Sequence, residues 1–377
     1  MDFIDRTELL HRVALTLAPN VGPVTSRLLI KHFKSARAVF EGSPGQFHKI
    51  EGIKAHIPGA LKTPGLFSRA EAELKFMEKN RISVLHLGEK GYPRLLNQCN
   101  DAPLLLYVKG EQGLQCRRAL SVVGTRRATA YGKELCRQIV TELAARVDDL
   151  VIVSGLAYGI DIIAHRAALD AGIPTIAVLG HGFSTIYPPV HRDVAKKIIK
   201  HGALLTDFVS EMGPERNNFL RRNRIIAGIS SATLVIESAS RGGALITAAM
   251  AASYERDVLA VPGRTIDHRS RGCNLLIKST RAALTEDADD LLYHLNWNSD
   301  HPVQTSLFPE ISEGTIRDKE ERQLYNLILE DPGLTSDTLC IRSGIPIHRV
   351  LALLVEMELN NLVVAGPGNR YLPRIIP

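Results

Sequence analysis

Arginine and asparagine crowd one stretch of this chain. Residues 213–247 read GPERNNFLRRNRIIAGISSATLVIESASRGGALIT. Arg216, Arg221, Arg222 and Arg224 interleave with Asn217, Asn218 and Asn223. The apolar run 233–236 then ends at Glu237, and Arg241-Gly242-Gly243 leads into small residues that reach Thr247. A guanidinium offers a planar fork of donors that matches phosphate oxygens. A strand that passes through glycines into a helix presents backbone N–H groups to the same kind of anion. The chemistry expected here is phosphate binding, with either a nucleotide or a nucleic-acid strand as the ligand.

Other glycine turns follow apolar runs in the same way. Residues 119–123 (ALSVV) precede Gly124-Thr125-Arg126-Arg127, and 150–153 (LVIV) precede Ser154-Gly155 and Gly159-Ile160-Asp161. Residues 175–179 (TIAVL) precede Gly180-His181-Gly182, and 258–261 (VLAV) precede Pro262-Gly263. Helical patterns separate these runs, so a parallel sheet covered on both faces is expected over 86–297. In one of them Asp161 is expected to cap the helix start and Gly172 to stop it. Ligands of open α/β sheets sit outside the carboxyl ends of the strands, so these turns should form one cleft.

Familiar catalytic signatures fail. Gly132-Lys133 is followed by Glu134 rather than Ser or Thr, and Gly180-His181-Gly182 has Thr185 where a dinucleotide fingerprint needs glycine. There is no HExxH, nucleophile elbow or metal-ligand spacing. His165 lies among apolar residues of a helical pattern and reads as packed. No catalytic residue, metal or cofactor is expected. Phe183, Tyr187 and Phe219 lie near the proposed groove as candidates for stacking on bases.

The positioning frame has four parts. Residues 1–85 read as a helical module: a turn at Asn20-Val21-Gly22-Pro23, echoed at Ile50-Glu51-Gly52-Ile53, fits a pair of helix-hairpin-helix (SAM-like) units, with Lys31, Lys34 and Arg37 nearby. Residues 86–297 are the α/β domain. Residues 298–316 read as a linker, and 317–377 as three helices and a hairpin, the pattern of a winged helix. The formal net charge is +6, but the last part carries seven basic against eight acidic residues. The five cysteines show no CxxC pairing, and no apolar run approaches the ~20 residues of a membrane span. The acidic N-terminus lacks signal-peptide character, so a cytoplasmic protein is expected.

One family joins these motifs. Gly124-Thr125-Arg126, the run SGLAYGID (154–161) with Ala164-His165, Tyr187-Pro188 and Arg221-Arg222-Asn223-Arg224 occur in that order. Gly242-Gly243-Ala244 with Thr247, Val261-Pro262-Gly263 and GCNLLI (272–277) follow. The set resembles the DprA/Smf family, the DNA-processing proteins of bacterial transformation. The resemblance implies an extended Rossmann-like domain between an N-terminal helical and a C-terminal winged-helix domain. It implies binding and protection of incoming single-stranded DNA, dimerisation, and loading of the recombinase RecA. It places Arg126 in the phosphate pocket, extended by Arg222, Arg224 and neighbouring glycine turns. Phe183, Ser184 and His191 depart from the family pattern, which has Leu-Asp before Tyr-Pro and an Asn beyond. A competing reading is enzymatic: Glu237, Gly242-Gly243 and Thr247 are similar to the glycine-rich site of nucleotide phosphoribohydrolases, where a carboxylate beside a phosphate pocket assists N-glycosidic cleavage.

Overall fold

The computed structural model describes residues 5–110, 112–297, 319–360, 362–366 and 369–373. The chain divides into two compact units, Met1–His301 and Pro302–Pro377. The expected linker, 298–316, lies outside the described residues.

The first unit opens with helices α1 (Arg6–Leu17), α2 (Pro23–Phe33), α3 (Ala36–Glu41), α4 (Pro44–Phe47), α5 (Ile57–Ala60) and α6 (Leu66–Asn80). The first expected hairpin is present: Asn20 takes a positive φ of 61° and Pro23 occupies the first turn of α2, where a missing N–H costs nothing. Its echo turns on Gly52, with φ of 83°, but the helices on either side, α4 and α5, are single turns of four residues.

The helices do not stand apart from the sheet that follows. Strand β1 (Ser83–His86) pairs antiparallel with β2 (Leu105–Gly110), and the short α7 (Arg94–Asn97) lies between them in sequence. Leu105 and Tyr107 of β2 belong to the same core as Val13, Leu29 and Leu74 of the helices. Glu73 of α6, 2% exposed, accepts from the Ser210 N–H (2.8 Å) and hydroxyl (2.7 Å) while Arg69 donates to it (3.0 Å).

The alternating part supplies β3 (Arg118–Val123), α8 (Ala130–Arg146), β4 (Leu150–Ser154), α9 (Ile160–Asp170) and β5 (Thr175–Val178). Next come α10 (Arg192–His201), β6 (Gly202–Thr206), α11 (Arg216–Ile229), β7 (Ala232–Val235) and α12 (Gly243–Ser253). The unit closes with β8 (Asp257–Ala260), α13 (Arg271–Lys278), β9 (Ala283–Leu284) and α14 (Ala288–Leu295). The sheet order is β1-β2-β6-β5-β4-β3-β7-β8-β9. All pairings from β6 to β9 are parallel; β2 joins β6 antiparallel, an edge that the sequence reading did not foresee. Strands β4, β5, β6 and β7 are buried throughout, as unbroken apolar runs covered on both faces must be.

The chain winds outward from β3 in both directions. Strands β4, β5 and β6 add on one side, then β7, β8 and β9 on the other. The turns after β3 and β7 therefore part to opposite faces and leave a crevice at the carboxyl end of the sheet. This reversal positions the site.

The second unit contains α15 (Lys319–Glu330), β10 (Leu334–Thr335), α16 (Ser336–Ser343), α17 (Ile347–Leu359), β11 (Val363–Gly366) and β12 (Arg370–Pro373). The three strands order as β10-β12-β11, completing a winged helix around Leu324, Leu339, Leu354 and Met357. Thr335 caps α16 by accepting from the Thr338 N–H. No single helix among the described residues is long and apolar enough to cross a membrane.

Candidate nucleic-acid interface

A cleft of about 580 Å³ opens at the crevice between β3 and β7. The turn after β3 contributes Gly124, Thr125, Arg126 and Arg127; α11 contributes Arg216, Phe219, Arg222 and Asn223; the turn after β7 and the start of α12 contribute Arg241, Gly242, Gly243 and Thr247. The two turns are tied together, since Thr125 N–H donates to the Glu237 carbonyl at 2.8 Å. Arg126, Arg127, Arg216 and Arg241 are exposed. Arg127 stood in the sequence beside Arg126, and Arg216 opened the arginine-rich stretch; their place in the lining comes from the fold.

Helix α12 brings backbone donors to the same space. Gly242 precedes it in extended conformation (φ −84°, ψ 151°) and no side chain caps its first turn. Uncapped N–H groups at a helix start attract anions. Neither Gly242 nor Gly243 has positive φ. A β-carbon on Gly242 would overlap the Ser238 hydroxyl, whereas one on Gly243 would meet nothing within 4 Å. Gly243 thus leaves the helix end open, and Gly242 is required by close packing.

Arg222 is 3% exposed and holds the floor. It donates to the Gly155 carbonyl (2.8 Å), the Val178 carbonyl and Asn223 Oδ1 (3.1 Å). Burial lowers its pKa to about 10, and the neighbouring Asp161 carboxylate pulls the other way. Burial raises the Asp161 carboxyl above the usual carboxylate range, opposed by Arg222 and by the Ala157 and Gly155 N–H groups. Asp161 is inside the first turn of α9 rather than at its cap, which is Gly159, because the positive φ of Gly159 (80°) turns the chain two residues earlier. Gly172, with φ of 75°, follows the end of α9 as expected.

Several residues singled out from sequence lie outside the lining of the cleft. Arg224 is not a free phosphate ligand: it pairs with buried Asp207 and donates to the Asp101 carbonyl. Arg221 is exposed, but its guanidinium lies over Phe208, 5.1 Å from the ring centroid. The Ser154 hydroxyl is buried and donates to the Val122 carbonyl at 2.6 Å. The glycines at 155, 159, 180 and 182 serve packing: their β-carbons would meet Arg222, the Thr125 carbonyl, Phe219 and the backbone of Val209 and Ser210 respectively.

Of the three aromatic candidates, Phe219 lines the cleft, with the Arg126 guanidinium 5.5 Å from its centroid. Tyr187, 39% exposed, extends this surface, its ring 5.7 Å from Phe219. Phe183 instead packs, partly buried, against two hydrophobic cores and presents no platform. His191, one of the departures, is buried and donates from Nδ1 to the Leu156 carbonyl at 2.8 Å. Leu156 has φ of 57°, and its N–H donates to Nε2 of buried His165. Two histidines thus fix the strained turn of the SGLAYGID run. Ser184 is exposed, and its N–H donates to the Ser210 carbonyl.

The carboxylate of the enzymatic reading is already engaged. Glu237 is 4% exposed, accepts from the Thr129 N–H (2.9 Å) and hydroxyl, and fills the space beside Gly132. It points to the start of α8 and is absent from the cleft lining.

Comparison with known proteins places this arrangement. Residues 83–296 match a family model described as DNA recombination-mediator protein A, and residues 312–369 match the DprA winged helix domain. The chain is 35% identical to protein Smf of Escherichia coli over 302 residues, covering 79% of each chain. It is 37% identical to the DNA processing protein DprA of Bacillus subtilis over 287 residues, 75% of this chain and 95% of that one. Among solved structures, DprA of Streptococcus pneumoniae superposes with a TM-score of 0.63 at 28% identity, over 78% of this chain and 98% of that one. DNA processing protein A of Helicobacter pylori, described for its single-stranded DNA binding mode, gives a TM-score of 0.52 at 28% identity over 57% of this chain and 96% of that one.

Proposed function

Because this chain belongs to the DNA recombination-mediator protein A family, we propose that it binds single-stranded DNA in the cleft between β3 and β7, protects the strand, and passes it to the recombinase RecA. One observation carries the reading: four exposed arginines, 126, 127, 216 and 241, converge on an uncapped helix start beside the half-buried ring of Phe219 and the exposed ring of Tyr187. Cations that track a backbone and flat side chains that take bases are the two parts of a single-strand site. The Helicobacter pylori relative, described for single-stranded DNA binding, supports the same ligand.

Within this reading Gly124, Thr125, Asn223, Gly242, Gly243 and Thr247 line the phosphate path. Arg222 balances Asp161 beneath it, and Tyr187 with Phe219 receives a base. The protein acts in the cytoplasm as a homodimer. The domains are the helical module 1–85, the Rossmann-like domain 86–297, the linker 298–316 and the winged helix 317–377.

Fluorescence anisotropy with labelled single- and double-stranded oligonucleotides of one sequence tests the reading. Single strands should bind more tightly, with affinity falling steeply with salt as phosphate counterions are released. Equal affinity for both, or none for either, would overturn it.

A further inference from the structure

A second cavity opens at the other end of the central sheet. Its volume is about 670 Å³, within the ~300–1,000 Å³ range of small-molecule sites. The lining draws on α7, on the segment that enters β3, and on the residues that end α14. Arg118, in this lining, is the first residue of β3, whereas the arginine cleft between β3 and β7 begins at Val123, the last. The two cavities therefore lie at opposite ends of one strand.

Charge sets the chemistry of this second cavity. Arg94, Arg117 and Arg118 stand in its lining, and among the described residues no Asp or Glu does. Arg94 and Arg117 are exposed, and their guanidinium groups pair with nothing among the described residues. Arg118 spends one donor on the Asp148 carbonyl at 3.1 Å. The backbone at Arg117 is held in place, because its N–H donates to the Asp149 carboxylate at 2.7 Å. Open guanidinium groups in a concave site without carboxylates attract an anion of more than one charge. The rest of the lining suits a flat, weakly polar body. Leu95, Leu114 and Trp297 supply apolar wall. Gln115 donates from Nε2 to the Gly91 carbonyl at 2.7 Å, which leaves its Oε1 as an acceptor for the amino group of a base. A bare phosphate would leave most of this volume empty.

We propose that this cavity is a site for a free nucleoside polyphosphate, with its phosphates on Arg94, Arg117 and Arg118 and its base against Leu114 and Trp297. The inference does not rest on the single-strand reading, whose ligand occupies the opposite end of the sheet. A bound nucleotide would tie α7, β3 and the end of α14 together, three elements that the sequence keeps far apart.

The test is calorimetric titration of the full chain with ATP in the absence of DNA, read in parallel by tryptophan fluorescence. Trp297 is the chain's single tryptophan, so its emission reports this cavity and not the arginine cleft. Saturable heat should coincide with a change in emission. Arg94→Glu with Arg117→Glu should weaken ATP binding by about tenfold or more, because two cations become two anions facing the phosphates. Both residues are exposed, and an unchanged melting temperature verifies folding. Arg126→Ala, at the other end of β3, should leave ATP binding as in the parent. Inorganic pyrophosphate should bind at least tenfold more weakly than ATP. No saturable heat, heat without a change in emission, or equal binding by the parent and the glutamate variant overturns the proposal. So does loss of ATP binding in Arg126→Ala, which would move the nucleotide to the cleft, and so does pyrophosphate binding as tight as that of ATP, which would remove the base from recognition.

Discussion

The guanidinium of Arg222 occupies the space where Gly155 lacks a side chain, and it donates to the Gly155 carbonyl at 2.8 Å. The glycine turn after β4 and the arginine-rich helix α11 are therefore two sides of one packing contact, although 67 residues separate them. Gly155→Ala should push Arg222 off the Gly155 and Val178 carbonyls and destabilise the protein by about 1–3 kcal/mol. Chemical denaturation measures this as a lowered midpoint at constant slope. An unchanged midpoint would mean that the guanidinium is not locked by this contact.

Arg126 is exposed and stacked near Phe219, so its removal should leave the fold intact. We expect Arg126→Ala to weaken single-strand binding alike for all sequences. It should also flatten the log–log salt slope by about 0.7 for one lost phosphate contact. Anisotropy titrations at several salt concentrations read both quantities. A folded variant with the parent's slope removes Arg126 from the site.

At Gly243 a side chain would meet nothing within 4 Å. Gly243→Val should therefore keep a melting temperature close to the parent's while obstructing the approach of phosphate to the start of α12. The prediction is a loss of affinity larger than the loss of stability. Normal binding would make the turn purely structural.

His165 gives the stability a pH dependence. It is fully buried, and burial lowers its pKa to about 3 from an ordinary 6.5; the nearby Arg222 acts in the same direction. Its Nε2 must stay unprotonated to accept the Leu156 N–H. The unfolded chain binds the proton first, so the stabilisation is complete above pH 6.5 and is lost as pH falls toward 3. The expected slope is at most about 1.4 kcal/mol per pH unit for this proton. His86, lowered to about 4 mainly by burial, adds a slope of the same sign. Denaturation midpoints between pH 7.5 and 4 should fall more steeply for the parent than for His165→Gln. Parallel curves would exclude His165 as a source.

The winged helix should add little to DNA affinity. Its last helix offers Arg349, which pairs with Glu320 at 3.0 Å, against Glu356 and Glu358. Arg370 belongs to the described hairpin strand β12, while Arg374 lies outside the described residues. Truncation after Trp297 should keep nearly full single-strand affinity. A tenfold loss, about 1.4 kcal/mol, with the central domain folded would assign DNA contacts to this unit.

Much of this protein is legible in its sequence. Apolar runs that end in glycine fixed the parallel sheet, because both faces of such strands must be covered and their turns must be tight. Gly172 marked a helix end through backbone freedom, which acts within a few residues. The ordered motifs from Gly124 to Ile277 carried the family. What the sequence could not assign was which arginine meets solvent. Arg222, Arg224 and Arg216 share one helix, yet one holds the floor of the cleft, one is neutralised by Asp207 and one is free. Their fates depend on which strand edge each side of α11 faces, and only the reversal of winding between β3 and β7 decides that. Glu237 and Phe183 follow the same logic. Type and spacing made each a candidate, and burial against partners distant in sequence committed each to packing.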